Sequence, residues 1–211
     1  MKSLNIYKNR FKKFGVDAKS LLWGSRGAAH QRFRQFWAEI DFNEKSVLDI
    51  GCGFGEMGNF LTKGYENVNY KGVDITPEFI DNGKLLYPQL DLEIYDFHGL
   101  TNTISYDVVL ASGVLNSNYG NTKKNMDYRK KSIKKMFSLS RSVLAFNMLG
   151  NHPQPKNNKD SNVWYADSLL VLKFCMSLTH RVILKANYHP KDFTIFMYNE
   201  SDIQSGQKPK V

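Results

Sequence analysis

The residues of this chain best suited to chemistry are gathered in Val47-Leu48-Asp49-Ile50-Gly51-Cys52-Gly53-Phe54-Gly55-Glu56. An apolar run leads into three alternating glycines, with one carboxylate before them and another after. Glycine has no Cβ, so at Gly51, Gly53 and Gly55 a ligand can lie against the backbone while the turn takes positive φ angles. The helix expected to follow points its free amides at the same place. Together these features read as a nucleotide-type cofactor site at the end of a first strand.

The acids choose among nucleotides. Gly53-x-Gly55-x-x-Gly58 also fits the dinucleotide fingerprint, and Asp74 stands near the expected ~20 residues downstream. A dinucleotide would set its pyrophosphate on this loop, beside Asp49 and Glu56. Like charges at close range in a partly dry site are costly. S-adenosylmethionine carries an α-ammonium and a sulfonium and has no phosphate, so the loop favours it.

The same residues carry a family resemblance. The chain resembles the class I S-adenosylmethionine-dependent methyltransferases, whose first motif is an apolar strand, an acid and Gly-x-Gly-x-Gly. Tyr70-Lys71-Gly72-Val73-Asp74-Ile75 is similar to the second strand of that family, Leu92-Glu93-Ile94-Tyr95-Asp96-Phe97 to the third, and Tyr106 to Val114 to the fourth. The likeness covers roughly Glu44 to Asn199. Trp23-Gly24-Ser25-Arg26, Ser112 to Asn116 and Tyr188 to Thr194 are further similar to small bacterial methyltransferases of unassigned substrate.

The resemblance implies a Rossmann-like, doubly wound α/β fold: a mostly parallel seven-stranded sheet with an antiparallel last strand and helices on both faces. It implies S-adenosylmethionine as cofactor. Gly51, Gly53 and Gly55 would admit the methionine moiety, with Cys52 as a small filler of the loop. Asp49 and Glu56 would balance the cationic amine. Asp74, followed by Ile75, would bind the ribose diol. Asp96 would meet the adenine amine with Phe97 beside the ring, and Ser112 and Gly113 would pass the methionine end. Arg26 would pair with the cofactor's carboxylate from an N-terminal segment folded over the site. For catalysis the candidates are Asn116, at the end of the fourth strand, and His189, in a turn. No histidine or cysteine spacing suggests a metal.

Other elements must position these groups. Ala28 to Ile40 places Ala29, Phe33, Phe36, Trp37 and Ile40 on one helical face. Glu56 to Lys63 is the expected first crossover helix. Thr76-Pro77-Glu78 reads as a helix start, with Thr76 as N-cap and proline preset at the first position. Strands alternating with helices indicate a parallel sheet covered on both faces. Ser142 to Leu149 is a fifth apolar strand, and Ala166 to Met176 resumes helical spacing. Arg181 to Ala186 and Phe193 to Tyr198 read as two strands around a hairpin-like turn. Gly150 to Ser161 is rich in Asn, Pro and Lys and is expected to be a mobile lid. Three divisions are expected: residues 1–43 as a helical segment covering the site, 44–199 as the cofactor-binding domain, and 200–211 as a flexible tail.

The bulk numbers bound the rest. At 211 residues, with 42% hydrophobic and 23% charged residues, the chain suits one ordinary domain. No apolar run approaches the ~18 residues of a membrane span. Met1 to Gly15 carries Lys2, Lys8, Arg10, Lys12 and Lys13 but no apolar h-region, and is read as a solvated basic arm. Two cysteines fit a reducing cytoplasm. The net charge of +9 belongs to the C-terminal half, with seven basic residues between Lys123 and Lys135. Such a run is ordinarily a solvated helix face; its sharper readings are attraction of an anionic small molecule or of nucleic acid. The leading function is methyl transfer to a small molecule or metabolite. RNA methylation through the basic half and non-catalytic S-adenosylmethionine binding are the alternatives.

Overall fold

The computed structural model describes residues 2–101 and 105–199, so the tail expected at 200–211 lies outside the described residues. Chain order gives helix α1 (Lys2–Phe14), α2 (Arg26–Trp37), strand β1 (Ser46–Ile50), α3 (Glu56–Gly64), β2 (Asn69–Asp74), α4 (Pro77–Leu86) and β3 (Asp91–Ile94). There follow β4 (Tyr106–Ser112), α5 (Thr122–Ser138), β5 (Ser140–Asn151), β6 (Ala166–Asp167), α6 (Ser168–Met176), β7 (Val182–Lys185) and β8 (Asp192–Tyr198). Three short 3₁₀ turns, Ala18–Leu21, Phe97–Gly99 and Val114–Asn116, lie at the connections.

The strands run in the order β3-β2-β1-β4-β5-β8-β7, with β6 paired to the far end of β5. Pairings from β3 through β5 are parallel, while β8 is antiparallel to both β5 and β7. This is the Rossmann-like, doubly wound sheet expected, with the two-residue β6 added. The strand order reverses between β1 and β4, which are paired through Val47–Val108, Leu48–Val109 and Asp49–Leu110. A crevice opens outside the carboxyl ends of strands at such a switch point.

Alternation along the strands explains the two-sided core. Leu48, Ile50, Val109, Leu144 and Phe146 face one side, where Ile133 and Met136 of α5 and Val171 and Cys175 of α6 cover them. Val47, Val108, Leu110 and Ala145 face the other, against Phe33 and Phe36 of α2, Leu61 of α3 and Ile80 of α4. Each fully buried Phe or Leu contributes about 1.5–3 kcal/mol of transfer free energy, so both helical layers are held by their apolar stripes.

Two segments differ from expectation. The basic N-terminal arm, expected to be solvated, is docked: Tyr7 and Phe11 share one face of α1 and pack edge-on against Phe79, at centroid distances of 5.9 and 6.1 Å. Its lysines and Arg10 occupy other positions, and Lys8 lies 3.8 Å from Glu78. The segment expected to be a mobile lid is tied down instead. Asn157 accepts from the Tyr165 amide at 2.6 Å and donates to the Tyr165 carbonyl at 2.9 Å, and Gln154 donates to that carbonyl at 2.8 Å. Asparagine side chains thus supply the bonds that a periodic pattern would have supplied through the backbone.

Candidate functional site

A cavity of about 340 Å³ opens at the switch point, within the ~300–1,000 Å³ usual for small-ligand sites. Ile50, Gly51, Cys52 and Gly53 form its floor after β1; Val73, Asp74 and Ile75 come from β2, and Asp96 and Phe97 from the end of β3. Ser112, Gly113 and Val114 follow from β4. Nine of the thirteen residues expected at a cofactor thus lie on the wall: Gly51, Cys52, Gly53, Asp74, Ile75, Asp96, Phe97, Ser112 and Gly113.

The glycines serve different ends. Gly51 has φ 70°, and a Cβ there would stand 2.4 Å from Val114 Cγ2. Its amide and that of Cys52 both donate to the Val73 carbonyl, at 2.7 and 3.1 Å, folding the loop back over β2. Gly53, at φ 57°, would press a Cβ to 2.9 Å from Leu21. Gly55 is not on the cavity wall. It is the left-handed cap of α3, and a Cβ would crowd Leu90 and Leu92 at 3.1–3.3 Å.

Asp74 is the most firmly oriented acid of the site. Its Oδ2 accepts from the Gly53 amide at 3.1 Å and its Oδ1 from the Thr76 amide at 2.9 Å. The carboxylate therefore bridges the glycine loop and the start of α4, while each oxygen keeps a lone pair for a ligand. Burial raises its pKa, and the Thr76 and Gly53 amides oppose that shift. Thr76 occupies the N-cap position of α4 without a side-chain cap bond, and its own amide donates to Asp74. Asp96 accepts from the His98 amide at 3.0 Å, and Phe97 stacks on the His98 ring at 4.1 Å. At the β4 exit, the Gly113 amide donates to Oδ1 of buried Asn147 on β5 at 3.0 Å, and Asn147 donates to Ser112 Oγ at 3.3 Å.

Four expected residues are placed elsewhere. Asp49 lies buried behind the loop, where its Oδ2 accepts from the Tyr70 hydroxyl at 2.6 Å, and it does not reach the cavity. Burial pushes its pKa up to about 7; the Tyr70 bond lowers it and Asp74 adds to the rise. Glu56 turns to His30 Nε2 at 3.1 Å and the Tyr87 hydroxyl at 2.8 Å, beside a shallower hollow. The acid pair thus does not face the cavity: strand alternation sends Asp49 to the sheet face opposite Ile50, and α3 carries Glu56 toward α2. Asn116 accepts from the Leu149 amide at 2.8 Å and holds β5, away from the cavity wall. His189 lies in the β7–β8 turn, its Nδ1 accepting from the Lys191 amide at 3.1 Å, and is likewise off the wall. Arg26 begins α2, and its side chain lies outside the described residues.

Other wall residues were not anticipated from sequence. Tyr7 and Leu21 reach in from the N-terminal segment with Trp23, Ser117 and Tyr119 from the chain between β4 and α5, and Tyr128 from α5 itself. Tyr119 and Tyr128 stack at 4.3 Å with a 36° interplanar angle. Tyr128 and Arg129 fall on one turn of α5, and the one available signal was this tyrosine within the lysine run. Arg129 is fully buried behind the pair, donating to the Ser117 and Asn125 carbonyls at 3.0 and 2.8 Å and stacking over Trp164 at 4.4 Å. Burial lowers its pKa to about 10, so it remains a cation at neutral pH. No lysine or arginine lines the cavity among the described residues.

Comparison with known proteins agrees with this layout. A family model described as a methyltransferase domain matches residues 48–136. The sequence is 29% identical over 69 residues to "Putative methyltransferase 235L" of Invertebrate iridescent virus 6, a match spanning 33% of this chain and 26% of that protein. It is 23% identical over 163 residues to "Putative methyltransferase Rv1506c" of Mycobacterium tuberculosis, spanning 74% of this chain and 94% of the other. Among solved structures, magnesium protoporphyrin IX methyltransferase from Synechocystis PCC 6803 with bound SAH superposes with a TM-score of 0.64 at 13% identity, covering 94% of each chain. N-methyltransferase NodS from Bradyrhizobium japonicum WM9, in complex with S-adenosyl-L-homocysteine, superposes with a TM-score of 0.64 at 14% identity, covering 93% of this chain and 99% of that one. At such identities the likeness establishes the fold.

Proposed function

We infer that this chain, a class I S-adenosylmethionine-dependent methyltransferase, transfers the methyl group to a small-molecule acceptor bound in the tyrosine-walled half of its cavity. The observation that carries the reading is Asp74, fixed by two backbone amides at the end of β2 with lone pairs left for a cis-diol. The rest of the wall fits the same ligand. Gly51 leaves a gap that any side chain would close against Val114, which suits close approach of the methionine moiety. Asp96 and Phe97, on the wall after β3, suit the adenine amine and ring, and Ser112 and Gly113 line the same cavity after β4. When bound, the cofactor supplies an electrophilic methyl and its own leaving group; the protein's share is orientation and exclusion of water. That Tyr7, Leu21 and Trp23 line the cavity supports reading residues 1–43 as a cover over the site and 44–199 as the domain that would bind the cofactor.

Size favours a small acceptor. The acceptor half lies between Tyr7 of α1 and Tyr119 and Tyr128, in a cavity whose volume of about 340 Å³ is on the scale of a small ligand. Lys124, Lys130, Lys131 and Lys134 are exposed on α5 and off the cavity wall, so they read as a solvated face. We place the protein in the cytoplasm on its two buried free thiols, Cys52 and Cys175; among the described residues no helix is long and apolar enough to cross a membrane. Incubation with methyl-labelled cofactor and either metabolite extracts or total RNA tests the reading. Label is expected in a small molecule; label in RNA alone, or in nothing beside tight cofactor binding, would favour the alternatives.

A further inference from the structure

The acceptor half of the cavity has aromatic faces, from Tyr7, Trp23, Tyr119 and Tyr128. The carboxylates among the described wall residues, Asp74 and Asp96, belong to the cofactor half, and no lysine or arginine among the described residues lines either half. Arg129, buried behind the tyrosine pair, donates through Nη1 and Nη2 to Asn125 and the Ser117 carbonyl and stacks over the Trp164 ring. The phenols are neutral donors: burial pushes Tyr7 up to about 12 and raises Tyr119 above its ordinary value. His98, lowered by burial with Asp96 opposing, is the imidazole on the described wall, and its Nε2 faces Ser132 Oγ at 3.5 Å.

An anionic acceptor would find no cationic partner among the described wall residues, which is costly in a site removed from water. A hydroxyl acceptor would need its proton taken as the methyl arrives. A cation is met well by the ring faces of the tyrosines. Resting on the methyltransferase reading, we propose that the acceptor atom is an amine nitrogen, which attacks uncharged and leaves as a methylated ammonium held against the Tyr119 and Tyr128 rings. The nitrogen lone pair forms the bond to the methyl carbon, the electrons of the broken carbon–sulfur bond stay with sulfur, and the positive charge passes from sulfur to nitrogen. Nitrogen keeps its protons through the transfer and sheds one to solvent afterwards, so no base has to act within the cavity. The basic run on α5 then has no part in holding the acceptor.

Benzyltrimethylammonium, benzyl alcohol and benzoate share a ring and differ in the charge of the attached group, so they probe the site directly. Each is titrated calorimetrically into the protein saturated with S-adenosylhomocysteine. The ammonium is expected to bind at least tenfold more tightly than the other two. Its affinity should fall at least tenfold in Tyr119→Leu and Tyr128→Leu, yet stay within threefold in Tyr119→Phe, which keeps the ring face. Cofactor-product affinity serves as the folding control for every variant. Benzoate binding as tightly as the ammonium, no ammonium binding, or ammonium binding indifferent to loss of both rings would overturn the proposal. Failure of the unaltered protein to bind S-adenosylhomocysteine would instead overturn the reading beneath it.

Discussion

The two halves of the cavity are built over very different spans of chain. The cofactor half draws Gly51, Gly53 and Asp74 from one strand-turn-helix-strand unit, and the bond between the Gly53 amide and Asp74 Oδ2 crosses 21 residues. The acceptor half takes Tyr7 from the first helix and Tyr119 and Tyr128 from the far side of β4, joined only when α1 docks on α4 and α5 packs on the sheet. A local unit writes its geometry into residue spacing, because the glycines and the acid must occur at fixed distances along the chain. A surface assembled from three remote segments leaves no such spacing. The cofactor can therefore be read from a motif, whereas the acceptor has to be read from a cavity wall.

Substitutions can break that comparison, beginning with the largest effect. Gly51→Val should abolish measurable S-adenosylhomocysteine binding, because its Cβ would fall 2.4 Å from Val114 at a φ of 70° that valine rarely adopts. It should also destabilise the fold by about 1–3 kcal/mol. Normal binding by this variant, seen by calorimetry, would remove the loop from the site.

Asp49 sharpens the cofactor half by pH. Its pKa is raised from 3.8 to about 7 by burial, so the folded protein retains a proton that the unfolded chain has released above about pH 4. The stability linked to that proton is complete below pH 4, is lost as pH rises toward about 7, and changes no further above it. Asp49→Asn, which keeps a partner for the Tyr70 hydroxyl, should escape the loss. Relative to the unaltered protein it should gain with rising pH, by up to ~4 kcal/mol at pH 8 on ~1.36 kcal/mol per pKa unit. Urea unfolding of both proteins at pH 5, 7 and 8 measures the difference; a gain that does not change with pH would mean that Asp49 is ionised throughout.

Asp74→Ala should weaken S-adenosylhomocysteine by about 1.5–3 kcal/mol, the range for hydrogen bonds to a charged group. Benzyltrimethylammonium affinity, measured separately in the variant at saturating S-adenosylhomocysteine, should change far less, keeping the two halves distinct. Smallest are the two former catalytic candidates. Asn116→Ala should cost about 1–2 kcal/mol of stability by leaving the Leu149 amide without its partner, and His189→Ala less than about 0.5 kcal/mol. Neither should alter cofactor affinity, and a hundredfold loss of methyl transfer in His189→Ala with the fold intact would return it to the site.

What the sequence made legible follows the same division. The sheet, its crossover helices and the placement of Asp74 all rest on short-range signals: apolar runs, glycine spacing, and Thr76-Pro77 at a helix start. The reading of Asp49 and Glu56 as charges facing the ligand failed because their real partners are remote in sequence. Tyr70 lies 21 residues from Asp49, and His30 and Tyr87 lie 26 and 31 residues from Glu56. Period-two alternation could have warned of it, since Ile50 and Asp49 must point to opposite faces of β1. The N-terminal arm was misjudged by its charge, although Tyr7 and Phe11 stand four residues apart on one helical face. The segment 150–161 was misjudged by its composition, because asparagine-to-backbone bonds hold a loop without leaving any periodicity.

The central claim is that Asp74 and the glycine loop form a site for S-adenosylmethionine rather than for a dinucleotide. Calorimetric titration of the full chain with S-adenosylhomocysteine and, separately, with NAD tests it most directly. The account predicts saturable one-to-one binding of S-adenosylhomocysteine, weakened in Asp74→Ala, and no heat from NAD; NAD binding with no response to S-adenosylhomocysteine would contradict it.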